Sequence, residues 1–418
     1  MFKRTPGTKD ILPEEALRWQ AIEETTRAVF SLYNYREIRT PLIEEASLFN
    51  RSLGESAEIV QKQMFLIKKE DETFALRPEG TAGIVRAYIE NNLDKTSGFI
   101  KVYYTGPMFR AERPQKGRLR QFHHIGCEAI GSEAPYLDAE VISLADNLLK
   151  AYGIRDYETK INSLGCAKDK KALTEGLRAK LEPKLDQLCA DCKTRYNQNV
   201  LRVLDCKNEH CIEIVKKLEI GENYLCDECK GHFAKVKEGL DSLKVNYTVS
   251  PYLVRGLDYY TRTVFEFIHG ALGSQNALGA GGRYDNLVSE LGGPKAGAIG
   301  FAMGVERLLL VTNHKPQVTS KGLVYIISLG DEAKKAGAKL LYLLREAGVA
   351  SDTDHEDRSL KGAMRRANDM AAKTVLIIGE DEIKKGVVTL KDMASGEQKE
   401  IKRENILEEL KAYIKLTC

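Results

Sequence analysis

The chain has 418 residues and a formal net charge of +3, from 63 Lys and Arg against 60 Asp and Glu. At roughly 150 residues per domain, this length predicts two or three domains with a large buried core. Hydrophobic residues at 43% and charged residues at 29% exclude a disordered or fibrous chain, and no apolar run approaches the ~18 residues that cross a bilayer.

The N-terminal MFKRTPGTKDILPEEA carries charge with no apolar stretch behind it, so no secretory signal is expected. Asp10-Ile-Leu-Pro13 reads as a helix start, with Glu14 and Glu15 favourable to the dipole. Trp19, Ile22, Val29 and Phe30 then share one face. Residues 36–43, REIRTPLI, read as extended, since Pro41 pushes Thr40 out of the helical region. Residues 64–131 show short apolar runs broken by Gly, Pro and charge, with one helix near 80–92, which is the texture of an antiparallel sheet.

Residues 168–237 read as a small helical insertion holding Cys189, Cys192, Cys206, Cys211, Cys226 and Cys229. Strand texture resumes at 247–282, followed by a Gly-rich strand and helix at 292–313. HKPQVTSKG at 314–322 reads as a linker. Beyond it, strands and helices alternate, which predicts a separate α/β domain with a partly parallel sheet.

Chemistry concentrates in Tyr104–Gly131, two strand-like halves around a loop at 113–117. From Lys101 to Glu128, the basic residues Lys101, Arg110, Arg113, Lys116, Arg118 and Arg120 are opposed only by Glu112 and Glu128. Guanidinium forks projected from a hairpin suit a polyphosphate, and Phe122 can stack on a base. Leu76–Ala82 places Glu79 and Thr81 at a helix start. LVRGLDYYT puts Arg255 beside Tyr259 and Tyr260. LGAGGRYD, with Arg283 and Tyr284, permits close backbone approach to a ligand, and it lacks the spacing of a phosphate-binding GxxxxGK[ST] loop. Each segment alone also reads as a turn, a solvated face or a satisfied polar group. Four together point to one site.

These segments identify the chain as a member of the bacterial histidyl-tRNA synthetases, within the class II aminoacyl-tRNA synthetases, over essentially its whole length. Pro41 resembles the motif 1 proline, residues 104–131 resemble motif 2, and AIGFAMGVERL resembles motif 3 with Arg307. LVRGLDYYT and GAGGRYD resemble the two segments that mark the histidine enzymes.

The resemblance implies a cytoplasmic histidine–tRNA ligase acting on L-histidine, ATP with Mg2+, and tRNA(His), dimeric through the motif 1 region. It implies an α+β catalytic domain over 1–320, its mainly antiparallel sheet flanked by helices. A mostly helical insertion at about 168–240 and an α/β anticodon-binding domain over 321–418 complete it. By the same resemblance, Arg110 and Arg255 are catalytic at the α-phosphate. Glu112, Arg118, Phe122 and Arg307 complete the ATP site. Histidine would be held by Glu79, Thr81, Arg110, His124, Glu128, Arg255, Tyr259, Tyr260 and Tyr284. The family pattern has glutamine where this chain has His124. A neutral imidazole there accepts from the substrate ammonium, whereas a protonated one repels it. Gln115 is matched to the acceptor end of tRNA.

The C-terminal 322–418 carries 17 basic and 17 acidic residues, so bulk charge gives it no claim on RNA. Arg358, Arg365 and Arg366 are its phosphate-contact candidates, against the plainer reading of solvated arginines. Cys189, Cys192, Cys226 and Cys229 have local metal-ligand spacing suited to Zn2+. However, residues 193–225 separate the two pairs, and reduced cysteines packing the insertion is the favoured reading. A regulatory paralogue that senses histidine is the rival function. Such proteins usually lack the C-terminal domain and have eroded motifs, whereas LVRGLDYYT and 322–418 are both present here. A zinc-dependent RNA-binding protein is a third reading, and it leaves the arginine motifs unexplained.

Overall fold

Proline is tolerated in a helix's first turn, where the missing N–H has no partner to lose. Helix α1 (Pro13–Leu32) accordingly begins at Pro13 rather than Asp10, and its Trp19, Ile22, Val29 and Phe30 face is buried. The computed structural model describes residues 2–54, 57–115, 117–218, 220, 222–273, 276–312, 322–356 and 358–413. Lys116 of the basic hairpin and residues 314–321 of the expected linker lie outside the described residues. The chain divides into two compact units, Met1–Pro316 and Gln317–Cys418.

In the first unit, α1 is followed by β1 (Arg36–Glu37), β2 (Ile43–Glu45), α2 (Ala46–Leu53), β3 (Phe65–Lys69) and β4 (Glu72–Leu76). Helices α3 (Thr81–Glu90) and α4 (Leu93–Ser97) precede the basic hairpin, which is β5 (Ile100–Phe109) and β6 (Gln121–Ile130). Next come α5 (Pro135–Ala151) and β7 (Tyr157–Ser163), neither of which local periodicity singles out. The insertion holds α6 (Ala167–Leu181), α7 (Ala190–Gln198), a 3-10 segment (Val200–Asp205), α8 (Glu209–Lys216) and α9 (Asp227–Ser242). Strands β8 (Thr248–Val249), β9 (Thr261–His269) and β10 (Ala277–Arg283), helix α10 (Leu287–Glu290), β11 (Ala298–Gly304) and α11 (Val305–Val311) complete the unit.

The main sheet has the order β1-β5-β6-β11-β10-β9-β7-β8. Its six central strands are antiparallel, and only the two edge pairs, β1 with β5 and β7 with β8, are parallel. Strands β2, β4 and β3 form a small antiparallel sheet. Side chains on a strand alternate between faces. Ile125, Cys127 and Ala129 of β6 and Ile299, Phe301 and Met303 of β11 therefore join one core with α1, α5 and α9. Residues 122, 124, 126 and 128 face the other way.

One polar cluster locks this core. Arg283, fully buried, donates from Nε to Asp138 Oδ1 at 2.7 Å and from Nη1 to Asp285 Oδ1 at 2.8 Å. It also donates to the carbonyls of Ser132 and Ala134. The expectation that Arg283 accompanies Tyr284 in a ligand-facing loop is thus corrected. Its guanidinium is consumed by tying β10 to α5.

The second unit contains β12 (Val324–Ser328), α12 (Asp331–Glu346), β13 (Ser351–Thr353), α13 (Leu360–Asp369), β14 (Thr374–Ile378), α14 (Glu380–Lys385), β15 (Val387–Asp392), β16 (Gln398–Lys402) and α15 (Ile406–Tyr413). Its sheet order is β13-β12-β14-β15-β16. The β13, β12 and β14 strands are parallel, and the last three strands pair antiparallel. No described helix in either unit is long and apolar enough to cross a membrane.

Candidate active site

A cavity of about 220 Å³ opens on the face of the main sheet that carries residues 124 and 128. Five distant segments converge there. The α3 start brings Glu79 and Thr81, and the hairpin brings Arg110, Glu112, Arg118, Phe122, His124 and Glu128. The segment before β9 brings Arg255, Tyr259 and Tyr260, Tyr284 directly follows β10, and Arg307 lies in the first turn of α11.

The alternation of β6 aims His124 and Glu128 into the cavity, and strand register brings small residues opposite them. Gly304 and Gly106 pair with His124, and Gly300 pairs with Glu128. A Cβ on Gly300 would sit 1.8 Å from Glu128 Oε2, so only glycine leaves room for that carboxyl. A Cβ on Gly126 would likewise meet the Tyr104 ring at 2.5 Å.

The inner end is a carboxyl and tyrosine pocket. Thr81 Oγ1 donates to Glu128 Oε1 at 2.7 Å, and the Tyr284 hydroxyl donates to Oε2 at 2.5 Å. Burial pushes the Glu128 pKa up to about 8, against the lowering effect of those two hydroxyls. Glu79 accepts the N–H groups of Thr81 and Ala82 at 2.7 and 2.8 Å, satisfying two free donors at the α3 start. Burial raises its pKa too. Tyr259 packs against Tyr260 and Tyr284 at centroid distances of 4.7 and 5.7 Å. His124 is held well below the usual histidine range, by burial first and then by Arg110, Arg307 and Arg77. That lowering favours the neutral imidazole, the alternative that accepts from an ammonium rather than repelling it.

The other end is cationic. Arg110 donates from Nε to Pro78 O at 2.9 Å, and its guanidinium lies 5.3 Å from the Phe122 centroid. Burial brings Arg110 down to about 10, and Arg118 and Arg255 add to that lowering. Arg118 pairs with Glu112. Arg255 donates to Glu266 Oε1 at 2.7 Å. Arg307 donates to the carbonyls of Gly117 and Ala277 at 3.0 and 2.7 Å. Among the described residues, His124 Nδ1 and Arg255 Nε are buried polar atoms with no hydrogen-bond partner. Four guanidinium groups that repel one another around a cavity, with orphaned polar atoms, suit a multiply charged anion.

Several expected residues lie elsewhere. Gln115 is exposed at the hairpin tip, bridged to Arg118 through the backbone, and does not line the cavity. In the second unit, the Arg358 fork is taken by Asp354 and Glu356, whereas Arg365 and Arg366 are exposed on α13. Cys189, Cys192, Cys226 and Cys229 do not form one set, which corrects that grouping. The first pair converges with Cys206 and Cys211, and the second with Cys166 and Asp169. The two C-x2-C pairs start different helices, α7 and α9, so their shared spacing does not bring them together.

Sequence reasoning missed Tyr104, Glu266 and Glu306. Tyr104 and Glu306 line the cavity. Glu306 accepts the His123 N–H with both oxygens at 3.0 Å. Glu266 was legible in the Phe-Glu-Phe alternation of β9, which buries Phe265 and Phe267 on the opposite face. Tyr104 had no local signal.

Comparison with known proteins supplies the remaining observation. The family model for histidyl-tRNA synthetase matches residues 7–308, and that for an anticodon binding domain matches residues 323–413. The histidine–tRNA ligase of Halothermothrix orenii is 46% identical over 416 residues, covering 99% of each chain. That of Thermosipho melanesiensis is 45% identical over 418 residues, again covering 99% of each. The solved apo histidyl-tRNA synthetase of S. aureus superposes with a TM-score of 0.80 at 35% identity, covering 98% of this chain and 100% of that one. A Bacillus halodurans C structure described as an ATP phosphoribosyltransferase regulatory subunit/histidyl-tRNA synthetase shares the fold, with a TM-score of 0.66 at 24% identity. It covers 91% of this chain and 98% of that one. With full-length identity near one half and a family model spanning the whole cavity, the chain belongs to the histidyl-tRNA synthetase family.

Proposed function

We propose that this chain is a histidine–tRNA ligase, which activates L-histidine with ATP and then esterifies tRNA(His). The observation that carries the reading is the single cavity with a carboxyl and tyrosine pocket at one end and four arginines at the other. In the first step a histidine carboxylate oxygen bonds to the α-phosphorus of ATP, and the bond to pyrophosphate breaks. In the second, a terminal hydroxyl of the tRNA attacks the adenylate carbonyl and AMP leaves. The first step brings an anion onto a polyanion, so catalysis is positioning and charge neutralisation rather than strong general base chemistry.

In this reading Arg110 and Arg255 are the catalytic cations at the α-phosphate. Arg307 takes the outer phosphates, Glu112 and Arg118 fix the hairpin on the nucleotide, and Phe122 stacks on adenine. Glu79, Thr81 and neutral His124 accept from the substrate ammonium. Glu128 and Tyr260 read the imidazole, with Tyr259 and Tyr284 as walls. A pocket that satisfies both ring nitrogens rejects apolar isosteres, because its own buried groups would be left unpaired. The carboxylate oxygens of Glu112 and Glu306 are hard donors that fit Mg2+. They would hold it at the arginine end, where it would neutralise charge on the departing pyrophosphate.

The unit containing 321–418 takes the anticodon, with Arg365 and Arg366 better placed than the engaged Arg358, and Gln115 meets the acceptor end. Exposed Ile43, Leu66 and Ile67 on the small sheet, with exposed Leu42 between them and Pro41, support a homodimer through that region. Such a ligase works in the cytoplasm, where thiols stay reduced. Charging of tRNA transcripts with histidine, with and without the extra 5′ guanosine, tests the whole. Absence of histidine-dependent ATP–pyrophosphate exchange together with absence of charging would refute it.

A further inference from the structure

Among the described residues outside the active-site cavity, the insertion carries two compact groups of metal-competent side chains. Cys189, Cys192, Cys206 and Cys211 bring their Sγ atoms to within 4.8 Å of one another. The last three are buried, Cys189 is half-buried, and all four are free thiols. We propose that these four sulfurs bind one Zn2+ ion as thiolates, and that the ion anchors the segment supporting Arg255 of the active site.

Geometry favours a common centre over pairwise bonds. Tetrahedral zinc with Zn–S near 2.3 Å sets its sulfurs about 3.8 Å apart, and Cys189 Sγ lies 3.9 Å from Cys206 Sγ. A disulfide needs about 2 Å between sulfurs and would strand the other two thiols. The ligands come as two local pairs, Cys-x2-Cys and Cys-x4-Cys, separated by residues 193–205. Cys189 caps the N-terminus of α7 and Cys192 lies in its first turn, so one helix start carries both sulfurs. Backbone donors already face the sulfurs. The Cys189 N–H reaches Cys211 Sγ at 3.3 Å, and the Asn208 N–H reaches Cys206 Sγ at 3.4 Å. Such N–H···S contacts orient thiolate ligands from outside. Four soft donors select zinc over the hard cations of the ATP site.

The neighbouring group of Cys166, Asp169, Cys226 and Cys229 is different. Asp169 already accepts the N–H groups of Cys166 and Cys226 at 3.3 and 3.0 Å, fastening the starts of α6 and α9. Its carboxylate is thereby engaged, and no ion is assigned to it.

The position of the first group gives the ion a role. The elements α7, Val200–Asp205 and α8 have nine, six and eight residues, too short to hold themselves. The 3-10 segment is flanked by ligands Cys192 and Cys206. From it, Arg202 Nη1 donates to the Arg255 carbonyl at 3.2 Å. Just before it, Asn199 Nδ2 donates to Asp258 Oδ1 at 2.9 Å. The ion therefore clamps both ends of the strut that props the Arg255 loop.

The test begins with the unsubstituted full chain, purified without chelator from zinc-supplemented culture. Elemental analysis is expected to give about one zinc per chain, and X-ray absorption a shell of sulfur neighbours near 2.3 Å. Cys206→Ser and Cys211→Ser should each lose the metal, while Cys226→Ser keeps it. Zinc below about 0.2 per chain, iron in its place, a shell without sulfur, or zinc retained in both serine variants would overturn the site. Withdrawal of zinc by a mercurial, followed by thiol regeneration, should lower pyrophosphate exchange at least about tenfold, with recovery on adding Zn2+. Unchanged exchange in zinc-free protein would overturn the coupling to Arg255. That arm alone rests on the ligase reading, so a failure there is distinguishable from a failure of the metal content.

Discussion

Replacing Glu128 by Gln keeps the shape of the pocket and removes its one carboxyl held near pH 8. Burial places the Glu128 pKa at about 8, so the empty pocket holds it protonated at pH 7. A carboxylate accepts an imidazole N–H more strongly than a protonated carboxyl does, so where Glu128 reads the substrate in its ionised form, binding expels the proton. With that pKa, about a tenth of the sites are ionised at pH 7 and half at pH 8. Histidine affinity should thus rise about fivefold across that unit, with about 0.9 proton released per ligand at pH 7. The surrounding groups leave this window clear. Tyr104, Tyr259, Tyr260 and Tyr284 are pushed up by burial, and His124 is pushed down. Glu79 is the other acid raised by burial, and Glu79→Gln serves as its control. Titration calorimetry at the two pH values, in buffers of different ionisation enthalpy, counts the protons directly. Glu128→Gln should flatten the slope, abolish the proton release and weaken binding at pH 8 by about 2 kcal/mol. His124→Gln should leave the slope in place. A slope that survives in Glu128→Gln, or no proton release by the unsubstituted protein at pH 7, would refute the assignment.

Arg255→Ala should cut histidine-dependent ATP–pyrophosphate exchange by about 10² to 10³; near-normal exchange would remove Arg255 from the α-phosphate. Gly300→Ala sets a Cβ against Glu128 Oε2, whereas at Gly304 the nearest atom is Arg307 Cδ at 3.6 Å. The first substitution should raise the KM for histidine about tenfold or more and the second change it little, so equal effects would argue against the Glu128 packing. Arg283→Ala leaves Asp138 buried without its guanidinium partner, and denaturant titration should show a loss of about 3 to 5 kcal/mol. A loss below about 1 kcal/mol would show that the cluster contributes nothing specific.

The residues legible in the sequence are those whose chemistry is stated locally. Arg110, Arg118 and Phe122 sit in one hairpin, and alternation along Gln121–Ile130 already separates Phe122, His124 and Glu128 from Ile125, Cys127 and Ala129. What no local pattern states is pairing across the sheet. Gly300 opposes Glu128, and Gly304 opposes His124, only because β11 lies beside β6 in an order unrelated to chain order. Arg283 was misplaced for the same reason, since its partner Asp138 lies 145 residues away. Helix α5 was missed because it is apolar nearly all round, with Asp138 and Asp146 buried among its leucines, so no polar face sets a period. The cysteines misled in a third way. A C-x2-C pair reports that two thiols start a helix turn, but not which distant pair shares their centre, and here Cys206 and Cys211 lie closer in space than the second C-x2-C.

Electrostatics explains why a net charge of +3 says so little about this protein's partners. In the empty cavity Arg307 is lowered by burial and by Arg118 and Arg110, as Arg110 is by burial and by Arg118 and Arg255. Such a set opposes folding when nothing anionic is present, because each guanidinium gives up water without gaining a full partner. Glu112 and Glu266 relieve part of this by pairing with Arg118 and Arg255, and backbone carbonyls hold Arg110 and Arg307. These partners fix the direction of each cation before substrate arrives, and they leave Arg255 Nε unpaired. A triphosphate then meets donors that need little reorganisation, which is the condition under which charge stabilisation lowers a barrier. The residual positive field is carried at the arginine end of one cavity, while acidic residues elsewhere, most of the 60 in the chain, offset it in the total. Bulk charge reports the sum, and the reaction depends on the local excess that the sum hides.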